Sequence, residues 1–293
     1  MSETPENSEI KEPITNTEVK KDEVNKKRKY KEIAPFGNYH SYYGYRVGND
    51  MDKDPRFKVL KKEWFEGKDC LDIGCNSGLI TLNIAKKFNC RTILGIDIDK
   101  VRITDAWSNL KNFAQRKNSR NHTNMGPKLK IATDLNELRC AETCSTSGEE
   151  VKSGCFSVES NLSNIVSFEH GNFVSSSYQV PHEKYDTIIC LSVTKWVHLN
   201  WGDKGLFTLF SKIWRHLHPG GVLVLEPQPW VSYYKNRLTT ETTKKYYHEI
   251  IYKPNEFQEI LLDKIGFRTV EHATSSVSGA RVGFDRPVLV FRK

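Results

Sequence analysis

The chain has 293 residues, enough for one large domain or two small ones and for a sizeable hydrophobic core. Its 38% hydrophobic and 11% aromatic content is that of a globular fold, while a mean hydropathy of −0.58 demands long polar stretches beside the core. A net charge of +8 and a pI near 9.0 favour an anionic partner. No apolar run approaches membrane-spanning length, and seven cysteines without a C-x-x-C pair point to a reducing compartment rather than a disulfide framework.

Residues 1–33 hold almost no large apolar side chains and predict a disordered polar tail, acidic at its start and unlike a targeting helix. Inside it, Lys26-Lys27-Arg28-Lys29 reads equally as a nuclear-import or RNA-backbone cluster and as a solvated charge run. Beyond Ile33 the composition changes. Phe36, Tyr39, Tyr42, Tyr43 and Tyr45 crowd together with Gly37 and Gly44 and end at Arg46, which predicts an aromatic lid over residues 34–48.

The periodic core starts near Lys68. Cys70 to Ile73 reads as a buried strand, Leu79 to Phe88 as a helix, Thr92 to Ile96 as a second strand, and Val101 to about Phe113 as a second helix. Strand and helix alternating at this spacing is the signature of βαβ units. Residues 116–162 break the pattern with Ser, Asn, Thr, Glu and Lys and predict a disordered insertion. Its Cys140, Cys144 and Cys155 lack a matching histidine spacing, so no metal site is expected. Strands follow at Ile165–Glu169 and Tyr185–Leu191. A helix over Gly205–Leu217 is stopped by His218-Pro219-Gly220-Gly221 and followed by a strand at Val222–Glu226. A helix near Asn255–Ile265 and strands near Phe267–Val270 and Val288–Phe291 complete an α/β fold. The expected architecture is a mostly parallel seven-stranded sheet with helices on both faces, and residues 34–293 are expected to form one domain.

Two segments carry the chemistry. Gly74-x-x-x-Gly78, preceded by Asp72, is a tight turn opening a helix, and Asp97 ends the second strand where an acid accepts hydrogen bonds from ribose. This D-x-G-x-x-x-G form resembles class I methyltransferases, whose sulfonium cofactor S-adenosylmethionine carries no phosphate. The runner-up, a dinucleotide dehydrogenase, needs room for a pyrophosphate and a hydride-handling residue, and none is evident. After the strand ending at Leu191 come Ser192-Val193-Thr194-Lys195-Trp196-Val197-His198-Leu199-Asn200-Trp201-Gly202-Asp203. The [D/N]-P-P-[Y/F] form of base-amine methyltransferases is absent, and Cys190 lies within the apolar strand. A lysine here suits an anionic oxygen nucleophile.

With Phe36-Gly37-Asn38-Tyr39, Tyr42-Tyr43-Gly44-Tyr45-Arg46, Leu225-Glu226-Pro227-Gln228-Pro229-Trp230 and Gly283-Phe284-Asp285-Arg286-Pro287-Val288, these motifs resemble the Bicoid-interacting family of RNA methyltransferases. The resemblance runs from about residue 34 to the end, skipping the insertion, and sides with the branch that methylates the γ-phosphate of a small nuclear RNA. It implies S-adenosylmethionine contacts from Tyr43, Arg56, Gly74, Cys75, Asn76, Asp97, Ile98, Asn172, Phe173 and Leu191. The turn geometry reaches Gly74, Asn76 and Asp97 unaided, whereas Arg56 rests on the resemblance alone. Lys195 and Arg46 are assigned to the phosphate and Tyr42 to a hydrogen bond on the same group. Trp196, Trp201 and Trp230 are candidates for walling the pocket or stacking the first base, with core packing the competing reading. His198 reads as a structural hydrogen-bonder and Glu226 as the holder of a cation. The resemblance also implies a small non-coding RNA partner with a 5′-triphosphate end, a nuclear location, and a La-related RNA-binding protein as a further partner; a monomer without membrane attachment is expected. The 5′-monophosphate branch of the family and an RNA-binding chaperone with little turnover remain as alternatives.

Overall fold

The computed structural model describes residues 34–47, 54–115, 162–180, 184–274 and 285–293. The expected tail, its basic cluster, the lysine- and serine-rich stretch at 116–161 with its three cysteines, and Gly283-Phe284 lie outside them. The insertion's last expected residue, Leu162, is buried and opens a helical turn, Leu162–Ile165.

Seven strands form one sheet: β1 (Asp69–Ile73), β2 (Thr92–Asp97), β3 (Val166–His170), β4 (Tyr185–Leu191), β5 (Leu217–Glu226), β6 (Thr269–Thr274) and β7 (Val288–Arg292). They lie in the order β3-β2-β1-β4-β5-β7-β6. The first five are parallel, and β7 runs antiparallel to both β5 and β6. The described helices are α1 (Tyr42–Val47), α2 (Leu79–Phe88), α3 (Lys100–Gln115), the turn α4 (Leu162–Ile165), α5 (Thr194–His216), α6 (Trp230–Asn236) and α7 (Glu241–Glu249).

Side chains alternate across a strand, so each strand feeds two cores. Cys70, Ile93 and Ile189 pack with Leu82 and Ile84 of α2 and Ala106 and Leu110 of α3. Leu71, Leu94 and Ile188 pack on the other face with Leu206, Leu209 and Phe210 of α5 and with Phe257 and Ile260. Helix α2 runs from Leu79 to Phe88, as its periodicity predicts.

Four expectations change. The helix predicted over Gly205–Leu217 is the second segment of α5: Gly202 (φ 62°, ψ −163°) is non-helical and kinks Thr194–His216 into two helices, and the first of these was not expected. That left-handed value suits glycine, and a Cβ there would lie 2.8 Å from the Tyr246 ring. The predicted His218–Gly221 turn is a bulge inside β5: Tyr185 pairs with Leu217 and Thr187 with Val222, so four residues loop out between. The helix expected near 255–265 is a 3-10 turn at Pro254–Glu256, a helical turn at Phe257–Glu259 and a π-helical stretch at Ile260–Ile265. The strand expected at 267–270 falls at Thr269–Thr274.

Candidate active site

Strand order reverses beside β1, whose neighbours are β2 and β4, and such a switch point leaves a crevice at the carboxyl ends of the strands. A cleft of about 910 Å³, part of it open to solvent, lies there. Tyr43, Arg56, Gly74, Cys75, Asn76, Asp97, Ile98, Asn172, Phe173 and Leu191, all predicted cofactor residues, line it, and so does Tyr42. Lys195 and Arg46 do not.

The floor is the turn between β1 and α2. Gly74 has φ 74°, and its N–H and that of Cys75 donate to Ile96 O at 2.8 and 3.0 Å. A Cβ on Gly74 would come within 2.4 Å of Val193 Cγ2, so only glycine lets the turn close against the end of β4. Asn76 also takes a left-handed φ of 51°, and its N–H donates to Asp97 Oδ2 at 2.9 Å. The other Asp97 oxygen accepts from Asp99 N at 2.8 Å. Burial raises the Asp97 carboxyl above its ordinary value, against the pull of these two N–H groups. Each oxygen keeps lone pairs for a hydroxyl. Asp72 is buried on the same floor and accepts from Thr81 Oγ1 at 2.7 Å. Burial pushes it up to about 7, with Thr81 and Arg56 opposing.

A buried ionic network backs the cleft. Glu226, at the end of β5, is 0% exposed and accepts from Arg46 Nη2 at 2.8 Å, Arg56 Nη1 at 3.5 Å and Ser192 Oγ at 2.8 Å. Arg56 also grips Asp54 through Nε and Nη2, at 3.0 and 2.6 Å. Asp54 caps the 3-10 turn Pro55–Lys58 by accepting from Arg56 N at 3.0 Å. Burial alone would raise the Glu226 carboxyl, but Arg46, Arg56 and Arg286 hold it below the usual range. Arg46 is 1% exposed, with Nε 3.6 Å from Asp54 and Nη1 donating to Tyr42 OH at 3.3 Å. The structure therefore places this predicted phosphate ligand behind the cleft wall, locked to carboxylates. The Tyr42 hydroxyl donates to Ser192 Oγ at 3.1 Å. Against the effect of burial, Arg46 and Arg56 lower its pKa below the ordinary tyrosine value.

Lys195 sits on the first turn of α5, 5% exposed. Its Nζ donates to Ser232 Oγ at 3.0 Å and lies 4.1 Å from the centre of the Trp196 ring. Among the described residues it forms no ion pair. Burial, with Arg286 adding to it, lowers its pKa to about 7. Gln228 fixes the start of this turn by accepting from Lys195 N at 3.1 Å and Thr194 Oγ1 at 3.2 Å.

Trp196 and Trp201 line the cleft, while Trp230 stacks on Tyr247 at 5.0 Å away from it. The aromatic segment at 34–47 lies against the two cleft tryptophans. Phe36 stacks on Trp201 at 5.8 Å, Tyr39 meets Trp196 edge-on at 5.9 Å, and Asn200 Nδ2 donates to Pro35 O at 2.9 Å. Asn38 Nδ2 donates to Asp99 on the far side of the cleft. His198 is fully buried, with Nε2 2.8 Å from Asp203 Oδ1 and Nδ1 3.4 Å from Tyr233 OH. Asp203 in turn accepts from Ile251 N at 3.0 Å, so the histidine ties α5 to the segment after α7.

Sequence reasoning assigned no role to Asp54, Ser192 or Arg286. Ser192 has a left-handed φ of 64°, uncommon for a non-glycine and typical of constrained functional turns. No local pattern marks it; the only signal is its position directly after an apolar strand.

A five-stranded parallel sheet with an antiparallel β7-β6 pair at one edge, and a glycine turn paired with an acid after β2, define a class I methyltransferase fold. The chain matches the family model of Bicoid-interacting protein 3 over residues 185–293. It is 57% identical over 268 residues to a probable RNA methyltransferase of Arabidopsis thaliana, which covers 91% of this chain and 83% of that one. It is 31% identical over 264 residues to the U6 snRNA methylphosphate capping enzyme of Drosophila melanogaster, covering 88% of this chain and 74% of that one. It is 38% identical over 287 residues to the 7SK snRNA methylphosphate capping enzyme of Homo sapiens, but spans only 39% of that relative's length. The chain belongs to the Bicoid-interacting protein 3 family.

Proposed function

We propose that this chain is an RNA 5′-end methyltransferase that uses S-adenosylmethionine to methylate the γ-phosphate of a small nuclear RNA of the 7SK or U6 kind. The observation that carries the reading is Lys195: a buried cation with no carboxylate partner among the described residues, next in the chain to Trp196, which lines the cleft. A buried unpaired charge is unfavourable, and a phosphate supplies its missing counter-ion. The relatives named as capping enzymes support the same reaction.

The cleft residues fit the cofactor. Gly74 leaves its backbone bare where a Cβ would jam against Val193, Asp97 keeps lone pairs for ribose hydroxyls, and the Asp72 carboxyl suits a cationic end. When bound, S-adenosylmethionine supplies an electrophilic methyl carbon, which bonds to oxygen as the carbon–sulfur electron pair stays on sulfur. The protein's part is alignment. A terminal phosphate has a second pKa near ~6 and is already anionic at neutral pH, so no residue need act as a base. Lys195 holds the anionic oxygen, Tyr42 braces Ser192 at the cleft wall through its hydroxyl, and Phe36, Trp196 and Trp201 exclude water as a lid. The same reading carries a nuclear site of action, a monomeric enzyme and a La-related RNA-binding protein as partner.

The test uses one RNA bearing 5′-triphosphate, 5′-monophosphate or 5′-hydroxyl ends, with S-adenosylmethionine labelled in its methyl group. Label is expected on the triphosphate RNA and should leave with the γ-phosphate on pyrophosphatase treatment. Preference for the monophosphate end would move the protein to the other branch of the family. Label on the hydroxyl RNA, or on none, would overturn the reading.

A further inference from the structure

We propose that Gln228 is a positioning residue that sets Lys195 in place for the phosphate; this rests on the phosphate reading above. Gln228 lies between β5 and α6 and is 1% exposed. Both ends of its amide are engaged. Oε1 accepts from Lys195 N at 3.1 Å and Thr194 Oγ1 at 3.2 Å, and Nε2 donates to Ser192 O. These partners fix the orientation of the amide, since a flip would set its NH2 group against the Lys195 N–H and its oxygen against a carbonyl. One side chain thus grips residues 192, 194 and 195, the turn that leads from β4 into α5.

The turn lacks a cap of its own. The first N–H groups of a helix need acceptors from outside it, and a serine, threonine or aspartate at the N-cap ordinarily supplies one. Here the N-cap is Val193, whose side chain accepts nothing. Gln228 supplies the acceptor from 33 residues away, and the N–H it takes is that of Lys195 itself. Ser192, just before, has a left-handed φ of 64°, a conformation that persists where its surroundings impose it. Its N–H donates to Glu226 O at 3.0 Å and its carbonyl accepts from Gln228, so the end of β5 and the residues after it clasp Ser192 on both sides. The same stretch of chain reaches the far end of Lys195, where Ser232 Oγ accepts from Nζ at 3.0 Å. A buried ammonium at the positive end of a helix is therefore held by Gln228 at its backbone and by Ser232 at its tip. Methyl transfer by alignment is sensitive to that placement, because a shift of ~1 Å can cost about a hundredfold in rate.

The experiment compares wild type, Gln228→Met and Gln228→Glu by steady-state kinetics on 5′-triphosphate RNA, with calorimetry of S-adenosylhomocysteine in parallel. Methionine keeps the volume and loses the amide, whereas glutamate keeps the reach and the acceptor for Lys195 N. Gln228→Met should lower kcat about ten- to a hundred-fold, more than it changes the KM for RNA, with cofactor affinity within about twofold of wild type. Gln228→Glu should recover part of that loss. A glutamine that only stabilises the fold would lower Tm in Gln228→Met and leave the kcat of the folded enzyme unchanged. Wild-type kcat in Gln228→Met, a Gln228→Glu enzyme no faster than Gln228→Met, or equal losses of kcat and cofactor affinity would overturn the assignment. Should Gln228→Met fail to fold, Gln228→Asn carries the test: its amide is one methylene too short for Lys195 N, and wild-type kcat there would overturn the assignment. A wild-type enzyme that methylates no RNA phosphate sinks the underlying reading and this proposal with it, a result distinct from variants that match an active wild type.

Discussion

Burial moves the Asp72 carboxyl from its ordinary 3.8 to about 7, so folding takes up a proton between those values. The native state binds more protons than the unfolded chain across that window, and stability therefore falls as pH rises from about 4 to 7. A shift of about three units, at ~1.4 kcal/mol each, sets a ceiling of about 4 kcal/mol. Asp72→Asn keeps an acceptor for Thr81 and removes the charge. The cofactor-free variant is expected to melt above wild type at pH 8, with the gap closing toward pH 4. A cationic cofactor favours the ionised carboxylate, so wild-type affinity should climb with pH through 7 while the variant stays flat. Melting curves and titration calorimetry across pH check both halves, and parallel profiles for the two proteins would refute them. Of this site, the sequence showed the aspartate and its glycines but not its environment: a carboxyl's pKa is set by the neighbours that folding brings in.

At the level of elements, Glu226 is the joint where the end of β5, helix α1 and the 3-10 turn Pro55–Lys58 meet. Replacing one partner of a buried ion pair leaves the others desolvated without compensation. Glu226→Ala should therefore lose about 3–5 kcal/mol, which lowers Tm by roughly 10 °C in a domain of this size. Glu226→Gln, which can still accept from one arginine, should lose less. Thermal denaturation of the two variants decides this, and a Tm equal to wild type in Glu226→Ala would show the network to be dispensable. The elements themselves were unevenly legible. Helix α2 and strand β4 follow from their periodicity because their faces meet a core directly. The first two turns of α5 did not, because Lys195, Asn200 and Gly202 look like loop residues until Gln228, Trp196 and Tyr246 are seen around them. Helices α6 and α7 went unread for a related reason. Their aromatic residues pack largely on one another, Trp230 on Tyr233 and Tyr247, instead of presenting a stripe to the sheet.

For the molecule as a whole, a net charge of +8 across 293 residues sets the expected mode of RNA binding. Phosphate contacts release counter-ions, so log affinity for triphosphate RNA should fall linearly with log salt, by about 0.7 per neutralised phosphate of a single strand. Binding of S-adenosylhomocysteine, seated in a largely apolar cleft, should barely move. A salt titration of both ligands measures the two slopes, and an RNA slope near zero would remove electrostatics from substrate capture.

The sequence by itself determined the α/β class, the strand-to-turn glycine motif, the acid after β2 and the lysine after β4, since each depends on residues close together in the chain. Tertiary structure decided which charges meet one another. Ser192 and Arg286 lie 94 residues apart, and Arg46 and Glu226 lie 180 apart. Whether an arginine reaches a phosphate or is held by a buried glutamate depends on distances that only folding sets.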